Sequence, residues 1–177
     1  MNWDAITGIS SAVIALCAFG YTIWQGKQAQ RHNKLSFRPH LTSWSHQNSD
    51  KGAYAVELMN NGLGPALIVS FIVKVDGKVI SGVGTEPIEK GLKILFPNTR
   101  YHSQQAYMAK GYSMAAKEKC TILAIQFAES TPLNKEAIEH TFNRADLIVK
   151  YKSFYEEEFT YSSEDEKSKE ITGVRPD

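Results

Sequence analysis

Five histidines, two cysteines and a run of glutamates are the side chains in this sequence best suited to acid–base, nucleophilic or metal chemistry. Such chemistry needs company: a nucleophile needs a base, and a metal ion needs several ligands. His32, His40, His46, His102 and His140 are dispersed along the chain. His40 and His46 share a parity that would put them on one strand face, but six positions are too many for two ligands of one ion without help. A solvated histidine is the simpler reading of each. Glu156, Glu157 and Glu158 fall at an expected turn, where an acidic run is ordinarily a solvated face. Cys17 lies in an apolar run and Cys120 in an expected strand. The two do not pair, they form no zinc pattern, and Cys120 has no evident activating neighbour. No GxSxG elbow, Walker loop, HExxH or CxxC occurs. These residues point away from an enzyme and imply no cofactor or metal. The lack of a disulfide framework accords with a reducing compartment.

Binding chemistry is concentrated between positions 90 and 112. Lys90, Lys93, Arg100, Tyr101, His102, Lys110 and Tyr112 interleave cations with aromatic rings in a stretch of irregular pattern. Cations pair with phosphates, and ring faces stack on bases. This region is the candidate site for a small anionic ligand, with an ordinary exposed loop as the alternative. Asn60-Asn61-Gly62-Leu63-Gly64-Pro65-Ala66 is a second glycine-rich stretch. A phosphate cradle needs successive N–H donors and a following helix. Pro65 has no N–H and a strand pattern follows, so the segment reads as a sharp turn or bulge between strands.

What would position these residues is a small domain on an apolar anchor. The stretch from Ile6 to Trp24 carries no charge. At about 1.5 Å per residue it nearly covers a hydrocarbon core of about 30 Å. Trp3 at one end and Tyr21 and Trp24 at the other suit the headgroup level. Lys27, Arg31, Lys34 and Arg38 follow the span, so the positive-inside rule puts the C-terminal side in the cytoplasm and the N-terminus outside. A cleaved signal peptide would carry its charge before the apolar run and a small-residue site after it, and neither is found. Gly8, Ser11, Ala12 and Ala15 recur at spacings that let membrane helices approach closely, which suits self-association. The polar run to Leu35 extends the helix, and Pro39 stops it. The anchor with its extension is residues 1–35.

From Leu41 the periodicity changes to two. Tyr54, Val56 and Leu58 alternate with Ala55, Glu57 and Met59. Leu67, Val69, Phe71, Val73 and Val75 would share one face of the strongest strand, and Asp76-Gly77 supplies a hairpin turn to Lys78–Ser81. A turn is expected at Asn48–Gly52, a short strand at Ile94–Phe96, and weak strands at Tyr101–Met108 and Tyr112–Met114. Cys120–Ala128 is a strand with Leu123, Ile125 and Phe127 on one face. Thr131-Pro132 would start a short helix with Leu133, Ala137, Ile138 and Phe142 as its buried stripe. Leu147, Val149 and Tyr151 pair with Phe159 and Tyr161 in a last hairpin. The fold class is mainly β: a transmembrane helix, then an antiparallel sandwich or barrel over 36–163 with at most one short helix, then a disordered acidic tail over 164–177.

The strand that ends in Asn60-Gly62-Leu63-Gly64-Pro65-Ala66 and the Tyr-rich hairpin Tyr151–Tyr161 resemble those of a loose group of uncharacterised bacterial single-pass membrane proteins. The resemblance implies a small C-terminal β-sandwich-like domain and carries no catalytic residue. The charge balance is uneven: 17 basic and 11 acidic residues up to position 155, then 3 and 8. A mildly basic body suits an anionic membrane face and is too dilute for DNA binding. The expected function is a sensing or protein-interaction module on the cytoplasmic side of the cell inner membrane. Its partners would be the lipid bilayer, further copies of the chain through the membrane helix, and a cytoplasmic protein or small anionic ligand. The alternative is a ligand-gated effector that perturbs the membrane, a plan similar to that of some bacterial antiphage signalling effectors.

Overall fold

The computed structural model describes residues 3–48, 52–128 and 135–166. The chain divides into two compact units, Met1–Phe37 and Arg38–Asp177.

The first unit is one helix, α1, Trp3–Ser36. A helix that is hydrophobic all round belongs in a protein core or in a membrane. Here the apolar stretch has no amphipathic stripe, and none of it is buried. Ile6–Ser36 is thus long and apolar enough to cross a membrane. The helix runs on through its polar end, and its last turn closes with the Phe37 N–H donating to the Asn33 carbonyl at 3.1 Å. Pro39, which bars the helical conformation at Arg38, accounts for the stop. The Tyr21 and Trp24 rings lie 5.8 Å apart, at the end where interfacial aromatics were expected. The side chain of Trp3 lies outside the described residues. Gly8, Ser11, Ala12 and Ala15 are exposed, and their spacing places them along one stripe.

The second unit is a two-sheet β domain. Its strands are β1 (Leu41–Asn48), β2 (Ala53–Asn60), β3 (Ala66–Val75), β4 (Lys78–Val79), β5 (Tyr101–Gln105), β6 (Ser113–Met114), β7 (Lys119–Phe127), β8 (Ala145–Lys152) and β9 (Glu158–Ser162). One sheet has the order β1-β2-β7-β5; the other has the order β4-β3-β8-β9, with β6 also on β3. Every pairing is antiparallel. The sheets share one core, with Tyr54, Leu58, Ile125 and Phe127 from the first and Ile68, Val149, Tyr151 and Tyr161 from the second. Two separate sheets over a common core make a sandwich rather than a closed barrel.

Local chemistry explains most of the connections. The β3–β4 turn has φ of 51° at Asp76 and 74° at Gly77, the double positive φ of a type I′ hairpin, and this turn sits where the sequence put it. Arg144 holds the turn from the start of β8, donating from Nε and Nη2 to the Asp76 carboxylate at 2.8 and 2.6 Å. Those hydrogen bonds, more than the bare charge, keep the Asp76 carboxyl below its ordinary pKa. A carboxyl with a lowered folded-state pKa stabilises above its unfolded value and loses that contribution as the pH falls through the folded one. Unfolding midpoints should therefore drop below about pH 4, and the drop should be shallower in Arg144→Ala. Thermal melts across that range check it.

Expectations in three parts of the domain need correction. Ile94–Phe96 is not a strand: Ile94 and Leu95 end a helix, α2, Glu86–Leu95. Ile88, Leu92 and Leu95 fall at i, i+4 and i+7 and bury one face; Pro87 suits its first turn, with Glu86 and Glu89 beside it and Lys93 in its last. The helix lies close on β3, where a Cβ on Gly91 would meet Val75 Cγ2 at 3.4 Å. With α3, Lys135–Phe142, the described residues of the domain hold more than the one short helix expected, and residues 163–166 are helical as well. In α3 the buried residues are Ile138 and Phe142, one turn apart, while Ala137 is exposed. Thr131, Pro132 and Leu133 lie outside the described residues.

The second correction concerns β3. A register shift against β8 between Ile68 and Ser70 marks a bulge, which inserts one residue and reverses the inward parity. Ala66 and Ile68 are buried before it, Phe71, Val73 and Val75 pack inward after it, and Leu67 is exposed. Alternation alone had put Leu67 on the same face as Val75. Third, the chain keeps its fold beyond 163. Glu166 accepts from the Ser43 hydroxyl at 3.1 Å and the Tyr161 hydroxyl at 2.9 Å, which ties the edge strands of the two sheets together. Residues 167–177 and the centre of the expected turn, 49–51, lie outside the described residues.

Candidate functional site

The glycine-rich loop after β2 is closed on itself. Asn60 is fully buried. Its Nδ2 donates to the carbonyls of Gly64, Met114 and Ala115 at 2.8, 3.3 and 3.1 Å, and its Oδ1 accepts from the N–H groups of His40 and Gly62 at 3.1 and 3.0 Å. The loop's own donors are occupied as well: Asn61 N–H donates to His40, and Leu63 and Gly64 N–H to Arg38. A Cβ on Gly62 would lie 2.5 Å from the His40 nitrogen and 2.6 Å from Pro39 Cα, so only glycine fits there. A phosphate cradle offers outward N–H groups; here they point into the fold, so the loop is a structural clasp.

The seven cation and aromatic candidates do not form one site. Lys93, Arg100, Tyr101 and His102 line a cleft of about 460 Å³ with Phe96, Pro97, Thr99 and Ala128, beside the C-terminal end of α2. Burial raises the Tyr101 phenol, partly offset by Lys93 nearby. The Lys93 ammonium donates to Glu89 at 2.7 Å, a contact that raises its pKa. Among the described residues the Arg100 guanidinium has no carboxylate partner, which leaves it the available cation of the cleft. Lys90 is turned back onto the Ser81 carbonyl at 3.1 Å and Glu86 at 3.4 Å. Tyr112 lies away from the cleft beside β3 and β6, where its N–H donates to Ala109 and its carbonyl accepts from Ile68. The Tyr112 hydroxyl donates to Glu118, and that bond, ahead of burial, has its phenol pushed up to about 12. Lys110 sits on the same loop.

The cations expected at the membrane surface also separate. Lys27, Arg31 and Lys34 are exposed on α1. Arg38 belongs to the β domain: its guanidinium donates to Glu157 at 3.0 Å and lies 6.0 Å over the Phe159 ring. Lys152 engages Glu156 and Glu158 at 3.3 and 3.4 Å, so all three members of the acidic run are held in ion pairs. Cys120 is half-buried, and burial raises its thiol, which makes it a poor nucleophile.

A second concavity, missed in the sequence, lies on the four-stranded sheet. Its volume is about 690 Å³, and its lining includes Ala53, Ala55 and Ala124 from the two central strands with His46, His102 and Gln104 from the edges. The register explains the trough. His46, Ala55, Ala124 and Gln104 are direct neighbours across β1, β2, β7 and β5. In that row long side chains stand on the edge strands and methyl groups in the middle, and Gln126 of β7 joins the lining one row along, between Ala53 and His102. His46 Nε2 lies 3.4 Å from the Glu57 carboxylate. The signal was present as small residues at outward positions of two confident strands, but only the pairing shows that they adjoin. His102 lines both concavities.

Among the described residues no three His, Cys, Asp or Glu side chains gather in a way that would hold a metal ion. The chain matches no protein-family model and no curated protein.

Proposed function

We propose that this chain is a membrane-anchored recognition module. α1 holds the β domain at the cytoplasmic face of a cell inner membrane with the N-terminus outside, and the domain senses or binds a partner there. The observation that carries this reading is α1 itself. Thirty-one residues from Ile6 to Ser36 form a helix whose apolar stretch is exposed, ahead of a domain that has its own core. Such a surface is stable only in lipid or against other apolar helices. The stripe Gly8, Ser11, Ala12 and Ala15 supports self-association in the bilayer. Gated action on the membrane is the second reading. Arg100 and Lys93 at the cleft favour it, since an anion bound there would give the domain a signal to pass to packed helices.

The test is the oligomeric state of the full chain in mild detergent, by light scattering. A defined oligomer is expected, and Gly8→Leu with Ala12→Leu should shift it to monomer, because bulky side chains keep helix backbones apart. A wild-type monomer would remove oligomerisation from the proposal and leave α1 a simple anchor.

A further inference from the structure

Resting on the reading of the β domain as a recognition module, we propose that the outer face of its four-stranded sheet binds a purine nucleotide, with the base in the alanine trough and the phosphate at Arg100. Neighbouring strands lie about 4.8 Å apart, so the row from His46 through Ala55 and Ala124 to Gln104 spans about 14 Å. The two middle residues carry only methyl groups. They form an apolar floor between taller walls, a surface matched to a flat ring. The Gln104 amide sets a donor beside an acceptor, the pair that reads the edge of an adenine. His46 and His102 supply ring faces for stacking.

The phosphate position follows from the edge strand. Residues on one face of a strand recur every second position, about 6.8 Å apart. His102 and Gln104 are both exposed on β5, and Arg100 continues their parity where the Ala128 N–H still donates to the Arg100 carbonyl at 3.0 Å. Arg100, His102 and Gln104 thus run as one stripe from guanidinium to amide. A guanidinium holds a phosphate through two parallel hydrogen bonds. His102 joins the trough to the cationic cleft, and each concavity falls in the range of about 300–1,000 Å³ usual for small-molecule sites.

The test uses the full chain in lipid nanodiscs, titrated with AMP, adenosine and inorganic phosphate, and read by calorimetry and by the unfolding midpoint. AMP should give a saturable response, adenosine a weaker one, and phosphate alone at the same concentration none. Arg100→Ala should weaken AMP about tenfold and leave adenosine unchanged. Ala124→Trp fills the floor and should abolish both responses; Gln104→Ala, at an exposed edge position, should weaken both and decides the matter if the tryptophan variant fails to fold. No saturable response to millimolar AMP, or an unchanged response in folded Ala124→Trp or in Gln104→Ala, overturns the site. A chain that stays in the bilayer without responding sinks only the nucleotide site. A chain that does not enter the bilayer sinks the anchored-module reading, whatever the titration shows.

Discussion

Replacing Asn60 with alanine is expected to cost about 3–5 kcal/mol of unfolding free energy, which is much of the roughly 5–15 kcal/mol that holds a domain of this size. The change strands five backbone groups at once: the carbonyls of Gly64, Met114 and Ala115 lose a donor, and the N–H groups of His40 and Gly62 lose an acceptor. Each buried polar group left unpaired costs about 1–3 kcal/mol, and some of these will find water. Asn60→Asp separates the two halves of the role. It keeps the acceptor but sets a carboxylate against three carbonyl oxygens, so it should be at least as unstable at neutral pH and recover partly in acid. Chemical denaturation at two pH values measures both. A loss under about 1 kcal/mol in Asn60→Ala would mean that the clasp is not needed for the entry into β1 and the turn before β7.

The largest expected effect on behaviour comes from charge placed in α1. Ile14 and Cys17 lie near the middle of the apolar stretch and are exposed there. An arginine at the centre of a spanning helix costs about 2.5–3.5 kcal/mol to insert, so Ile14→Arg with Cys17→Arg removes most of the driving force. The double variant should leave the membrane fraction on alkaline washing while the wild type stays, and the β domain should keep its circular dichroism in both. Retention of the double variant would mean that something other than the helix holds the chain.

How much of this was legible depended on whether a feature was local. The long apolar helix α1 was legible because one unbroken run of apolar residues fixes its own conformation. The I′ turn at Asp76-Gly77 and the alternation in β2, β7, β8 and β9 were legible for the same reason. The bulge at Ile68–Ser70 was not, because its register shift is defined only against β8. Helix α2 was obscured by Ile94-Leu95-Phe96, an apolar run that reads as a strand when the wider stripe of Ile88, Leu92 and Leu95 is overlooked. The candidate site divided along the same line. Lys93, Arg100, Tyr101 and His102 are near in sequence and meet at one cleft, whereas Lys110 and Tyr112 follow the chain across to the other sheet. The trough joins positions 46, 55, 124 and 104, which no spacing rule connects. Asn60 was read as turn punctuation, and its role as a clasp rests on partners as distant as Ala115.

Protease accessibility of the full chain in sealed membrane vesicles of known orientation tests the central claim most directly. An anchored module with its domain in the cytoplasm predicts that the β domain is digested in inside-out vesicles and protected in right-side-out ones, with a short N-terminal fragment kept in the bilayer after digestion. Digestion of the domain in right-side-out vesicles, or loss of the intact chain from either preparation on alkaline washing, would contradict it.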